Sequence, residues 1–348
     1  MRIVDLRSDT VTLPSPAMRE AMYRAELGDD VYGEDPTVNR LEELSAERLG
    51  MEAALFVVSG TMGNLVALLT HCGRGDEAIM GSESHTLYYE QGGVSALGGA
   101  IIRSVPNLPN GMLDPEDVQN AVRDPANVHY PRTALICMEN THNRCGGAVL
   151  SPAQMATIRA VALRNNVPVH LDGARIFNAA VALGIPASEI AAQVDTVQFC
   201  LSKGLAAPVG SMVCGSAAFI KAARRTRKVV GGGMRQAGVI AAAGIVALEQ
   251  MVDRLADDHA NARVLAEGLA NMPWFDVDMA SVQSNIVRFG VRAAKAPLPQ
   301  IAQALAAQGV KINPTSAVHF RAVTHYGLDR ADIDAALSTF SKVMTELA

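Results

Sequence analysis

The chain lacks the signatures of several large protein classes. Its five cysteines (Cys72, Cys137, Cys145, Cys200, Cys214) form no Cys-x-x-Cys pair and leave an odd count, so neither a disulfide framework nor a zinc ribbon is indicated and no metal is expected. It has no long apolar run. Charges at Arg2, Asp5 and Arg7 interrupt the start, and the longest stretch, Ala237 to Leu248, is too short to span a bilayer. A net charge of -5 and a pI near 5.9 give no basic field for nucleic acid or anionic lipid, although Arg224, Arg225, Arg227 and Lys228 form a local basic run. The G-x-G-x-x-G and P-loop patterns are absent, as are a Gly-x-Ser-x-Gly elbow and a His-Glu-x-x-His helix. Dinucleotide, ATP, serine-hydrolase and zincin readings therefore have no support, and the expectation is a cytoplasmic protein with neither membrane nor nucleic-acid partners.

What is present is an ordinary globular composition, 49% hydrophobic and 19% charged. The length suits roughly two domains of about 150 residues each. Short apolar or β-branched runs alternate with helix-like segments from about residue 50 to residue 230, which predicts parallel βαβ units in an α/β fold. The strand-like runs are Ala78–Met80, Ile101–Val105, Thr133–Met138, Val167–Asp172, Thr196–Leu201 and Val209–Cys214. Ser15-Pro16, Asp35-Pro36, Asp114-Pro115 and Ser151-Pro152 each pair an N-cap side chain with proline at the first helical position. Beyond about residue 236 the pattern becomes a long Ala-rich helix, then a short αβ mixture ending in a helix over Ala331–Leu347. The expected division is an N-terminal segment, 1–20, packing near the small domain, a large domain, 21–250, and a small C-terminal domain, 251–348.

One spacing carries chemistry. Asp172 ends a buried strand and Lys203 follows the next, 31 residues later. A strand, a crossover helix and a second parallel strand take about 30 residues, which brings both side chains to the carboxyl edge of one sheet, where open α/β folds bind ligands. A lysine facing a carboxylate is what pyridoxal phosphate needs, an amine for a Schiff base and a partner for the pyridinium nitrogen. Taken singly, Lys203 reads as a surface residue and Asp172 as a helix cap. The small residues of Gly204-Leu205-Ala206-Ala207-Pro208 would let a bulky ring approach the backbone. Val58-Ser59-Gly60-Thr61-Met62-Gly63-Asn64 reads as strand, glycine turn and helix start, whose free N–H groups and Thr61 hydroxyl can take a phosphate dianion.

These residues resemble the threonine aldolase family of fold-type-I pyridoxal-phosphate enzymes. The likeness runs through Asp5-Leu6-Arg7-Ser8-Asp9-Thr10, Gly28-Asp29-Asp30-Val31-Tyr32-Gly33-Glu34-Asp35-Pro36-Thr37, Glu139-Asn140-Thr141-His142-Asn143, His170-Leu171-Asp172-Gly173-Ala174-Arg175, Leu201-Ser202-Lys203-Gly204-Leu205 and Gly231-Gly232-Gly233-Met234-Arg235-Gln236. It implies the aspartate aminotransferase fold, a mostly parallel central sheet with a smaller C-terminal α/β domain. It also implies Lys203 as the Schiff-base lysine, Asp172 as the pyridinium partner and His85 as a ring-stacking histidine. Gly60, Thr61 and Ser202 become phosphate ligands, joined by Lys228 and Arg235 acting across a subunit interface. Arg175 also faces the cofactor, and with Ser8 and Arg321 it would clamp the substrate carboxylate. His129 would be a second histidine near the reacting carbons. The activity implied is retro-aldol cleavage of a β-hydroxy-α-amino acid, such as L-threonine, L-allo-threonine or phenylserine, to glycine and an aldehyde, in a homodimer or homotetramer. His85 and His129 are the candidate bases; β-elimination on the same cofactor, and a non-catalytic protein on an inherited fold, are the alternatives. The family carries glycine and then Thr or Ala where Ala206-Ala207 stand here, a departure expected to bear on the geometry of the lysine loop.

Overall fold

The computed structural model describes residues 2–292 and 296–347. Met1, residues 293–295 and Ala348, which belong to the expected N-terminal segment and small domain, lie outside the described residues. The chain opens with strand β1 (Val4–Asp5) and then builds β2 (Ala53–Val57), β3 (Glu77–Gly81), β4 (Ile101–Val105), β5 (Thr133–Glu139), β6 (Val169–Asp172), β7 (Thr196–Cys200) and β8 (Ser211–Gly215). The last seven form one sheet in the order β2-β8-β7-β6-β5-β3-β4. Strands β3 to β7 run parallel, as the alternation predicts. β8 is different: it is antiparallel to both β7 and β2, so the expectation of parallel βαβ units fails at that edge. The segment between β7 and β8 is a short loop carrying Lys203, too short for the crossover helix a parallel connection needs.

The four proline-marked starts are all helix starts. Ser15 caps α1 (Pro16–Tyr23), Asp35 caps α2 (Pro36–Leu49), and Asp114 and Ser151 cap the helices Pro115–Ala121 and Pro152–Asn165. α2 stops at Gly50, whose φ of 63° needs a residue without a Cβ penalty. α3 (Gly60–His71) follows β2 directly, and α4 (His85–Tyr88) follows β3.

Successive residues of the central strands face opposite layers. On β3 and β5, Ile79, Ile136 and Met138 enter one hydrophobic cluster, while Ala78, Met80, Leu135 and Cys137 enter another with Val66 and Leu68 of α3. Helices on both faces explain why these strands are apolar throughout. A third cluster joins the helices Leu255–Ala270, Leu298–Ala307 and Arg330–Leu347 to a four-stranded sheet. That sheet consists of β9 (Phe275–Asp276), β10 (Ile286–Val291), β12 (Asn313–Pro314) and β13 (His319–Val323), in the order β12-β13-β10-β9. β1 pairs with β11 (Val310–Lys311), and Val4 and Leu6 enter the same cluster. The Ala-rich region is two helices, Gly238–Gln250 and Leu255–Ala270, rather than one. Among the described residues no helix is long and apolar enough to cross a membrane.

Candidate active site

Asp172 is the last residue of β6, and Lys203 lies three residues beyond the end of β7, its hydrogen-bonded parallel neighbour. Both therefore stand at the same sheet edge, as the 31-residue spacing predicts. The edge opens on a cleft of ≈ 420 Å³ whose lining includes Ser8, His85, Asn143, Arg175, Lys203 and Arg321. That volume lies within the range of small-molecule sites.

The lysine loop is tied down at the Lys203 carbonyl. The Ala206 N–H donates to it at 2.8 Å, and the Thr12 hydroxyl shares its one hydrogen between this carbonyl at 3.1 Å and that of Asp9 at 2.9 Å. That turn places Ala206 at φ 62°, the left-handed region, where the Cβ meets the following carbonyl. The departure from the family's glycine is thus a local strain beside Lys203. Ala206→Gly is expected to raise the unfolding free energy by about 1 kcal/mol, read from urea melts at constant m-value; a loss of stability would show that the buried methyl matters more than the dihedral.

Asp172 is buried, and each of its oxygens accepts one hydrogen bond. Its Oδ2 accepts from Asn64 Nδ2 at 2.9 Å and its Oδ1 from the Ala174 N–H at 3.1 Å. The same Asn64 amide donates to Glu90 Oε1 at 2.8 Å, and Glu90 Oε1 also bonds His85 Nδ1 at 2.9 Å. The His85 backbone N–H is fixed by Glu139 Oε2 at 2.8 Å. One ligand-type atom each of His85, Glu90 and Asp172 lies within 4.8 Å of the others, a proximity that the shared Asn64 and the His85–Glu90 bond account for without a metal. Burial disfavours the charged His85 ring, but the Glu90 hydrogen bond and the Asp172 charge outweigh it, so the imidazole titrates above its ordinary value. Glu90→Gln removes that charge and should move the His85 titration downward, measurable by NMR of the ring protons. An unmoved titration would mean Glu90 does not hold it.

Arg175 and Arg321 come from different layers to one place. Arg175, at the start of the helix Ile176–Leu183, pairs bidentately with the fully buried Asp9, Nε to Oδ2 and Nη2 to Oδ1, both at 2.7 Å. Two of its five N–H donors are thereby committed, which leaves the second Nη2 hydrogen and both Nη1 hydrogens for a substrate contact. Arg321, on β13, donates to Asn143 Oδ1 at 2.5 Å and to the Arg7 carbonyl at 3.2 Å, and its buried Nε has no partner among the described residues. Burial and the repulsion of Arg175 push its pKa down, with Asp9 opposing. Asp9 bonds Arg175 and acts on Arg321 only through its charge, and the cleft lining carries Arg175, Lys203 and Arg321 with no acid, a field that an incoming carboxylate would neutralise. Ser8 lines the cleft and also caps a short turn, accepting from the Thr10 N–H at 3.2 Å.

At the start of α3, Ser59 caps the Met62 N–H, while those of Gly60 and Thr61 have no acceptor among the described residues. Gly60 lies against β7: a Cβ there would stand 2.7 Å from Cys200 Sγ. The helix end therefore approaches the strand that leads to Ser202 and Lys203. These free donors, the Lys203 amine and the Asp172 carboxylate match the phosphate, aldehyde and ring nitrogen of pyridoxal phosphate.

Asp172, Gly60, Thr61 and Ser202 stand at the same sheet edge without lining this cleft, and three further predicted residues lie away from it within one chain. His129 sits exposed in the loop before β5, at the amino edge of a strand whose seven residues span about 20 Å. Lys228 is exposed near the end of the helix Ala217–Val229, and Arg235, also exposed, pairs with Asp29 at 3.0 Å. Sequence reasoning also missed Asp9, Asn64, Glu90 and His170 as individual site residues. His170 was within reach of it, because it lies two residues before Asp172 on one strand and so shares its face.

The beta-eliminating lyase family profile matches residues 5–291. Low-specificity L-threonine aldolase 1 of Arabidopsis thaliana is 45% identical over 99% of this chain and 97% of its own length. The low specificity L-threonine aldolase of Escherichia coli K12 is 44% identical over 95% and 96%. The solved threonine aldolase of Leishmania major superposes with a TM-score of 0.83 over 98% of this chain and 99% of its own, at 18% identity, which shows a shared fold, fold type I of the pyridoxal-phosphate enzymes. With residues 5–291 matched and near full-length identity of 44–45%, this chain belongs to the beta-eliminating lyase family, and within it to the low-specificity L-threonine aldolases.

Proposed function

We propose that the chain is a pyridoxal-phosphate-dependent aldolase that splits L-threonine, L-allo-threonine and related β-hydroxy-α-amino acids into glycine and an aldehyde. The observation that carries this is the meeting of Lys203 and Asp172 at adjacent strand ends beside a cleft whose Arg321 has an unpartnered buried Nε. Lys203 is the amine that holds the cofactor, Asp172 receives its ring N–H, and Gly60, Thr61 and Ser202 take its phosphate. When bound, the cofactor supplies an electron sink for the bond broken at the substrate's α carbon. Arg321, Arg175 Nη1 and Ser8 bind the substrate carboxylate and so fix which bond at that carbon stands free to break. His85 covers the ring, and with Nδ1 committed to Glu90, proton exchange with the β-hydroxyl falls to Nε2. Lys228 and Arg235 reach a neighbouring chain's phosphate site in a homodimer or homotetramer. Supporting this, the elements around them expose Tyr23, Leu27, Tyr32, Val229 and Val239.

The family description favours one rival, β-elimination. With L-threonine the aldolase reading predicts acetaldehyde and glycine in equal amounts and no ammonia. Ammonia with a 2-oxo acid as the main products would establish the rival instead.

A further inference from the structure

Behind Asp172, a chain of side chains runs between one face of the sheet and α3, and its hydrogen positions can be deduced. Asn64, His170 and Thr196 are each at most 1% exposed. Asn64 Nδ2 donates its two hydrogens to two carboxylates, Asp172 Oδ2 at 2.9 Å and Glu90 Oε1 at 2.8 Å. The opposite amide orientation would set its oxygen against both anions, so Oδ1 must be the atom that faces His170 Nε2 at 3.2 Å. Burial, helped by the neighbouring His71, pushes the His170 pKa down to about 3, which keeps its ring neutral with one N–H. That proton belongs on Nε2. Nδ1 is then an acceptor for the Thr196 hydroxyl at 2.9 Å, and Thr196 Oγ1 in turn accepts from His71 Nε2 at 3.0 Å. Each group has one consistent role, and the whole chain points its donors toward Asp172 and Glu90.

We propose that Asn64 is a positioning residue, its amide orientation fixed by His170 and Thr196, which aims Asp172 at the cofactor ring nitrogen and ties it to the Glu90–His85 pair. A freely rotating carboxylate would spend its lone pairs on whichever donor came near. With one oxygen held by Asn64 and the other by the Ala174 N–H, its plane is set before the cofactor arrives. The same amide bridges to Glu90, so the group assigned to the ring nitrogen, Asp172, and the group assigned to the ring face, His85, are linked through Asn64 and Glu90. This rests on the reading of Asp172 as the ring-nitrogen partner.

The test is the ¹⁵N chemical shift of ring-labelled pyridoxal phosphate in the loaded enzyme, together with the cofactor dissociation constant. Wild type is compared with Asn64→Leu, Thr196→Val and Asp172→Asn. Asn64→Leu should move the ring-nitrogen signal toward the unprotonated position and weaken cofactor binding about tenfold, the size of losing one hydrogen bond to a charged acceptor. Thr196→Val, which touches neither Asp172 nor the cofactor cleft, should shift the signal the same way by less. Should Asn64→Leu fail to fold by circular dichroism, Thr196→Val decides alone. Wild-type signal and affinity in the folded Asn64 and Thr196 variants, with a moved signal in Asp172→Asn, would overturn the inference and leave the cofactor reading standing. An unmoved signal in Asp172→Asn would bring down both.

Discussion

Lys203→Ala is expected to lower turnover of L-threonine at least about a thousandfold, while the far-UV spectrum stays that of the wild type. The backbone of the lysine loop is held through carbonyl and N–H groups, by Thr12 and by Ala206 and Ala207, so removing the side chain leaves the turn intact. Lys203→Arg separates a covalent role for the residue from a purely electrostatic one. It keeps a positive charge near Asp9 and His85, but a guanidinium stays protonated and cannot condense with an aldehyde. If the lysine served only as a cation, the arginine enzyme would retain most of its activity. A Schiff-base lysine requires the arginine enzyme to be as impaired as the alanine enzyme, with the characteristic visible absorption lost in both.

The second large effect concerns stability. Asp9→Ala should cost about 3–5 kcal/mol, because it strands the Arg175 guanidinium, only 6% exposed, without its carboxylate. Burial alone would raise the Asp9 pKa, but the Arg175 charge and hydrogen bonds, with smaller help from Lys203 and Asn285, drive it far below the usual carboxylate range. A depressed folded-state pKa means the pair contributes fully above the unfolded value, about 4, and loses its contribution only as the pH falls toward the folded value. Urea melts of wild type and Asp9→Ala should therefore differ most at neutral pH and converge as the medium is made strongly acid. A difference that is already absent at neutral pH would mean the ion pair offsets only its own desolvation. Michaelis constants should move too if Arg175, whose plane Asp9 fixes, binds the substrate carboxylate as proposed.

How much of the fold and site is legible in the sequence follows from what kind of signal each feature leaves. Asp172 and Lys203 sit one crossover and one strand apart, so chain spacing alone places them at one edge. The helix starts at Ser15, Asp35, Asp114 and Ser151 are legible because a cap followed by proline is a local event. Direction is not local: β8 has the same apolar character as its parallel neighbours, and only the short β7–β8 loop betrays its reversal. Contacts such as Arg175 to Asp9 and Asn64 to Asp172 join residues 166 and 108 positions apart, and no periodicity reports a meeting across that distance. Asn64 does carry a partial signal, standing four residues after Gly60 and hence on the same face of α3. For His129 the resemblance supplies a role, while its place before β5 rather than after it keeps it from the Lys203 cleft of the same chain.

Borohydride reduction of the cofactor-loaded protein, followed by proteolysis and mass mapping, fixes the cofactor to whichever amine carries it. The expected result is a single modified peptide, the one containing Lys203, in nearly every chain. Label on another lysine, or none in protein that retains bound cofactor, would contradict the assignment on which the site, the chemistry and the Asn64 inference all depend.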